Sequence, residues 1–132
     1  MQNKWKIIRQ LFLFGIVGTI GFLVDVGVLY LVKNLFGLYI GRTLSFISAV
    51  FVTWFLNRTF TFKQRIKKSI LGEFLYYFWC MIFGGLANLL AYYLLIGHYA
   101  LIAESPIIGV AIGSLVGMLI NFITSKFLVF KS

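Results

Sequence analysis

The stretch GRTLSFISAVFVTWFLNRTFTFK, residues 41–63, keeps the same beat as GVAIGSLVGMLINFITSKFLVFK, residues 109–131. Small or polar residues recur at every fourth position: Gly41, Ser45, Ala49, Thr53 and Asn57 in the first, Gly109, Gly113, Gly117, Asn121 and Ser125 in the second. A cation follows each series, Arg58 or Lys126, and further on comes Phe62-Lys63 or Phe130-Lys131, always 68 residues apart. A spacing of four holds such residues on one slowly drifting stripe of a helix. Within a bilayer, small residues let backbones approach, and amides and hydroxyls turn toward protein or a cavity. The two stretches therefore read as the return helices of a duplicated membrane hairpin, with a polar, basic lip at one surface.

Working outward, composition sets the class. The chain of 132 residues is 61% hydrophobic, 19% aromatic and only 11% charged, with mean hydropathy +1.00. Soluble domains carry roughly a quarter charged residues. Four apolar runs cover residues 11–32, 39–57, 74–96 and 107–124, each near the roughly 20 residues that cross a hydrocarbon core. The first run is too long for a signal-peptide core and has no small-x-small cleavage site, so it is expected to be a span. The lone Cys80 allows no intrachain disulfide. These readings give an all-α membrane domain over residues 1–132, with four transmembrane helices as two same-orientation (parallel) hairpin repeats. Repeat 1 covers about 9–63, repeat 2 about 73–131, and a loop of about 63–72 joins them.

Ten of the twelve basic residues lie on one side: Lys4, Lys6 and Arg9 before the first span, Arg58, Lys63, Arg65, Lys67 and Lys68 after the second, and Lys126 and Lys131 after the fourth. Only Lys33 and Arg42 lie on the other. The positive-inside rule then makes both termini and the central loop cytoplasmic. Trp5, Trp54, Trp79, Tyr39, Tyr76, Tyr77 and Tyr99 fall near the expected interfaces, as an aromatic belt would. The formal charge of +9 thus belongs to topology and to anionic lipid head groups, not to nucleic acid. In the leading helices the match is 63 residues, pairing Gly21 with Gly84 and Asp25 with Asn88. That match requires the second outer loop to be five residues longer than the first, and the loop of residues 98–106, which holds the only proline, is visibly longer than that of residues 33–38.

The cytoplasmic ends carry a signature. Asn57-Arg58-Thr59-Phe60-Thr61-Phe62, and Asn121-Phe122 followed by Lys126-Phe127-Leu128-Val129-Phe130, resemble the paired motif of the GtrA-like family. The resemblance covers nearly the whole chain, including Gly18, Asp25 and the run Arg42, Ser45, Phe46. Thr53 stands where the first repeat usually has Asn, Ser125 where the second often has Asn, and Lys126 where Arg is usual. Lysine offers phosphate a point charge instead of a planar fork. These are small four-helix membrane proteins of bacterial cell-surface polysaccharide synthesis and cell-wall glycosylation. The resemblance implies movement of polyprenyl-phosphate-linked sugar across the cytoplasmic membrane, or support of the glycosyltransferases that use it.

Individual residues admit two readings each. Asp25 is the one acid deep in a span, about 21 Å from Leu11 at 1.5 Å per residue, where a charge costs at least about 2.5 kcal/mol. It reads as an ion pair with Arg42, or as an acid serving a proton or a substrate, and both can hold together. Arg58 and Lys126 read as helix-end anchors. Their repeat with Asn57 and Ser125 alongside also suits a phosphate between two pseudo-symmetric ends. Asn88 and Asn121 read as interhelical hydrogen bonds or as the lining of a substrate path. Glu73 is expected to cap or pair near the basic loop, and His98 and Glu104 have no metal-ligating partners.

No catalytic constellation is legible, so a non-enzymatic role is expected and no cofactor is assigned. The expected activity is flipping of polyprenyl-phosphate-linked monosaccharide by a homo-oligomer. Its candidate contacts are Arg58, Asn57, Asn121, Lys126, Ser125, Asp25, Arg42 and Asn88. A membrane adaptor for a glycosyltransferase is the alternative, and a proton-coupled small multidrug exporter is a third.

Overall fold

The computed structural model describes residues 4–62 and 69–131, with side chains at all of these except 38, 39, 106 and 107. The basic loop of residues 63–68 and the interfacial placement of Tyr39 lie outside the described residues. The chain divides into two compact units, Met1–Arg65 (with Ser132) and Ile66–Lys131. The first unit holds α1 (Lys4–Gly37) and α2 (Ile40–Thr61); the second holds α3 (Ile70–His98), the short α4 (Ala100–Glu104) and α5 (Pro106–Thr124), which runs on into a final turn, Ser125–Val129. Among the described residues, four helices are long and apolar enough to cross a membrane.

In the first unit the expected loop at residues 33–38 is not a loop. Helical backbone continues from α1 through Phe36, and the reversal is concentrated at Gly37, whose φ of 83° lies in the left-handed region. Nothing in Lys33-Asn34-Leu35-Phe36 breaks a helix, whereas glycine reaches positive φ without a Cβ penalty. The second unit turns more slowly, through α4. Its α3 begins at the N-cap Ser69, whose hydroxyl accepts the Gly72 N–H at 3.0 Å.

Each unit buries one stripe per helix. In α1 the stripe is Gln10, Phe14, Val17 and Gly21; adding 63 gives Glu73, Tyr77, Cys80 and Gly84 of α3, also buried. In α2 and the Phe62 that follows it, the stripe includes Gly41, Ser45, Trp54, Asn57, Thr61 and Phe62; adding 68 gives Gly109, Gly113, Phe122, Ser125, Val129 and Phe130, buried likewise.

Contacts inside the units recur at the same offsets. Phe14 and Phe62 meet with ring centroids 6.1 Å apart and planes at 56°, and Tyr77 and Phe130 meet at 6.1 Å and 55°. A Cβ on Gly21 would run into the Thr53 methyl, and one on Gly84 into the Asn121 amide. Gly41 packs on Leu29, and Gly109 on Tyr92. Both sequence offsets thus describe real packing within each hairpin.

Close approach at Gly84 has a measurable cost. Gly84→Ala is expected to lower stability by about 1–3 kcal/mol, the usual penalty for overpacking. Gly85→Ala is the control: among the described residues nothing lies within 4 Å of its Cβ position, and alanine favours helix. Thermal melts in detergent should separate the two; equal melting temperatures would show that the Asn121 amide moves aside freely.

Candidate functional site

Both return helices end in the same unusual backbone. Asn57–Thr61 and Ser125–Val129 are π-helical turns, again 68 residues apart. Each is closed by an i to i+5 hydrogen bond: the Phe62 N–H donates to the Asn57 carbonyl at 2.8 Å, and the Phe130 N–H to the Ser125 carbonyl at 2.9 Å. The sequence suggested ordinary α-helical ends. Hydropathy cannot tell one surplus residue in a turn from none, but the matched Phe five residues on was the available signal. Single π turns are rare and gather at functional sites.

In the first unit, Asn57 is fully buried and its Oδ1 accepts the Thr61 hydroxyl at 2.8 Å. The next residue, Arg58, is half-buried, with its guanidinium 5.9 Å from the Trp54 ring centroid. In the second unit Ser125 and Lys126 are both buried, Lys126 at 1% exposure, with its Nζ 5.5 Å from the Phe127 ring centroid. Lys126 therefore does not stand open on a lip. In this turn neighbouring residues share the inside, 125 with 126 and 129 with 130, which carries the lysine inward.

The four-residue stripes continue from these turns into the spans. In the first unit, Ser45 donates to the Arg42 carbonyl at 3.0 Å and Thr53 to the Val50 carbonyl at 3.1 Å. In the second, Asn88 lies against Gly113 and Gly117, and the Asn121 amide against Gly84. The missing Cβ atoms make room for both amides. Among the described residues, the Asn121 Oδ1 and the Ser125 Oγ are buried with no hydrogen-bond partner.

At the far end of the first unit Arg42 Nη1 donates to Asp25 Oδ1, joining the two residues in an ion pair. The acid side chain is 15% exposed and the arginine 60%. Of the two readings of Asp25, the pairing is thus realised. The matching positions in the second unit are Asn88 and Val110, which carry no charge. The structure brings together Asn57 with Thr61, Asp25 with Arg42, and Asn88 and Asn121 with the glycines of the facing helix.

No curated protein matches the chain. The family described as GtrA/DPMS, transmembrane domain, matches residues 13–130, which takes in α1 from residue 13 on, the other three long helices and both π turns. The chain belongs to the GtrA/DPMS transmembrane-domain family and is a multi-pass membrane protein.

Proposed function

We propose that the chain carries a polyprenyl-phosphate-linked monosaccharide from the cytoplasmic to the outer leaflet of a bacterial cytoplasmic membrane, for cell-wall or surface-polysaccharide glycosylation. Family membership supports involvement in lipid-linked sugar translocation or glycosylation. The observation that carries the finer reading is the twin π turn, which sets a cation beside a buried polar residue at matched positions of both hairpins.

In this reading the hairpins are parallel repeats about an axis near the membrane normal. The charge bias argues for both π turns, both termini and the basic loop on the cytoplasmic side. Arg58 takes the phosphate, because a guanidinium fork holds two phosphate oxygens at once. Asn57 holds the backbone of its turn, and Lys126 adds positive potential from the second. The polyprenyl tail stays in lipid while the sugar follows the small-residue stripes, and Asp25 with Arg42 shapes the outer half. No bond is made or broken, so the protein is a carrier and not an enzyme. Residues 63–68 meet anionic lipid. Four helices enclose little volume, so the carrier works as a homo-oligomer, next to the glycosyltransferases that consume its cargo.

Reconstitution of the purified chain with a fluorescent polyprenyl-phosphate monosaccharide tests this. Leaflet exchange by the protein alone is the expected result. Exchange or glycosylation that needs an added glycosyltransferase would replace the carrier with the adaptor reading.

A further inference from the structure

The two hairpins treat their polar stripes differently. In the first, the Thr53 hydroxyl is spent on the Val50 carbonyl and the Asn57 Oδ1 on the Thr61 hydroxyl. In the second, Val129 stands where the first has Thr61, so no hydroxyl is offered one turn below Ser125. Among the described residues, the Asn121 Oδ1 and the Ser125 Oγ find no partner, and Ser125 is 0% exposed. Buried polar groups are nearly always hydrogen-bonded, and an unmade bond costs the full desolvation of the group. A membrane interior offers no water to make up the loss. Two such atoms one helical turn apart, at i and i+4 of one stripe, are an unusual coincidence.

We infer that Asn121 and Ser125 form a hydroxyl-reading pair that binds the sugar of the lipid-linked cargo; the inference rests on the carrier reading and deepens it. The chemistry separates sugar from phosphate. An amide oxygen is an acceptor only, so it repels an anionic phosphate oxygen and welcomes a sugar O–H. A serine hydroxyl accepts and donates. Together they match two neighbouring hydroxyls of one ring. Labour is thus divided: the first hairpin supplies the fork for phosphate, and the second recognises the sugar. The sequence pattern alone sets Ser125 beside the phosphate and leaves Asn121 as an interhelical hydrogen bond or the lining of a substrate path.

The test uses the purified full chain and three probes: short-chain polyprenyl phosphate, the same lipid bearing glucose, and phosphatidylglycerol. The parent should bind the glucosylated lipid roughly tenfold more tightly than the bare phosphate. Ser125→Ala and Asn121→Leu should each cut that preference by about threefold to tenfold, the worth of one hydrogen bond. Ser125→Ala should not lower the melting temperature, since it removes an unpartnered hydroxyl. A parent that binds both polyprenyl lipids equally overturns the sugar pair while the phosphate reading stands. Phosphatidylglycerol binding as tightly as the glucosylated lipid also overturns it, by assigning the pair to bulk lipid. So does a Ser125→Ala protein that melts lower and loses both polyprenyl lipids in equal measure. If the parent binds neither polyprenyl lipid, the carrier reading falls and the pair with it.

Discussion

Arg58→Ala is expected to weaken binding of short-chain polyprenyl phosphate by about 30-fold or more, the roughly 2 kcal/mol and upward lost when one partner of a hydrogen-bonded charge pair is truncated. Arg58→Lys should recover part of the binding, because the charge returns without the planar fork. Lys126→Met, which keeps most of the buried stem, should cost less than Arg58→Ala, since a lysine at 1% exposure acts on the ligand through its field. Trp54 provides the readout, lying 5.9 Å from the Arg58 guanidinium; with Trp5 and Trp79 replaced by Phe, its fluorescence reports on that end alone. Thermal melts would confirm that each variant is folded. Undiminished binding by folded Arg58→Ala would reduce the twin cations to anchors for the helix ends.

The second large effect lies at the opposite end of the first hairpin. Asp25→Ala and Arg42→Ala should each lower stability by about 1–3 kcal/mol, because each strands a charge at membrane depth. Arg42 is the more exposed partner, so its loss, which leaves the more buried acid alone, should be the worse of the two. The double variant should lose less than the two single losses combined, by at least about 0.5 kcal/mol. Denaturation in mixed micelles would give the cycle; strict additivity would mean that the pair makes no energetic contact. If flipping survives in the double variant at a normal rate, the ion pair serves the hairpin and not the cargo.

Much of the architecture was legible in the residues. Charge-poor runs of about 20 residues fix four helices because hydrocarbon tolerates little else. The offsets of 63 and 68 could be read because side chains facing the partner helix must be small or must fit it, and this survives as a pattern of Gly21 with Gly84 and Asn57 with Ser125. The Asp25 partner was legible too: an acid at that depth needs a cation, and Arg42 was the nearest one on the facing helix. Other features leave no mark in hydropathy. Lys33 to Phe36 is polar enough to pass for a loop, although helical hydrogen bonding satisfies its backbone just as well. The inward course of Lys126 depends on a backbone turn that widens by one residue, and charge alone suggested the surface. Whether Ser125 is satisfied depends on the residue one turn below, where Val129 stands in place of the hydroxyl that Thr61 offers Asn57.

The π turns also bear on the order of events in this protein's history. Each holds one residue more than an α-helical turn would, and removing it would rotate Phe62 away from Phe14, or Phe130 away from Tyr77, by about 100°. An insertion of that kind is hard to acquire twice at equivalent positions. It is simply inherited if an ancestral hairpin already carried it before the gene doubled. Among the described residues, the left-handed Gly37, the α4 connection, the Asp25–Arg42 pair and the unpartnered Asn121–Ser125 pair occur in one half only, and in a doubled hairpin they would record what each copy gained or lost afterwards. On that ordering the widened turn would be the oldest element of the design, with the two halves diverging around it.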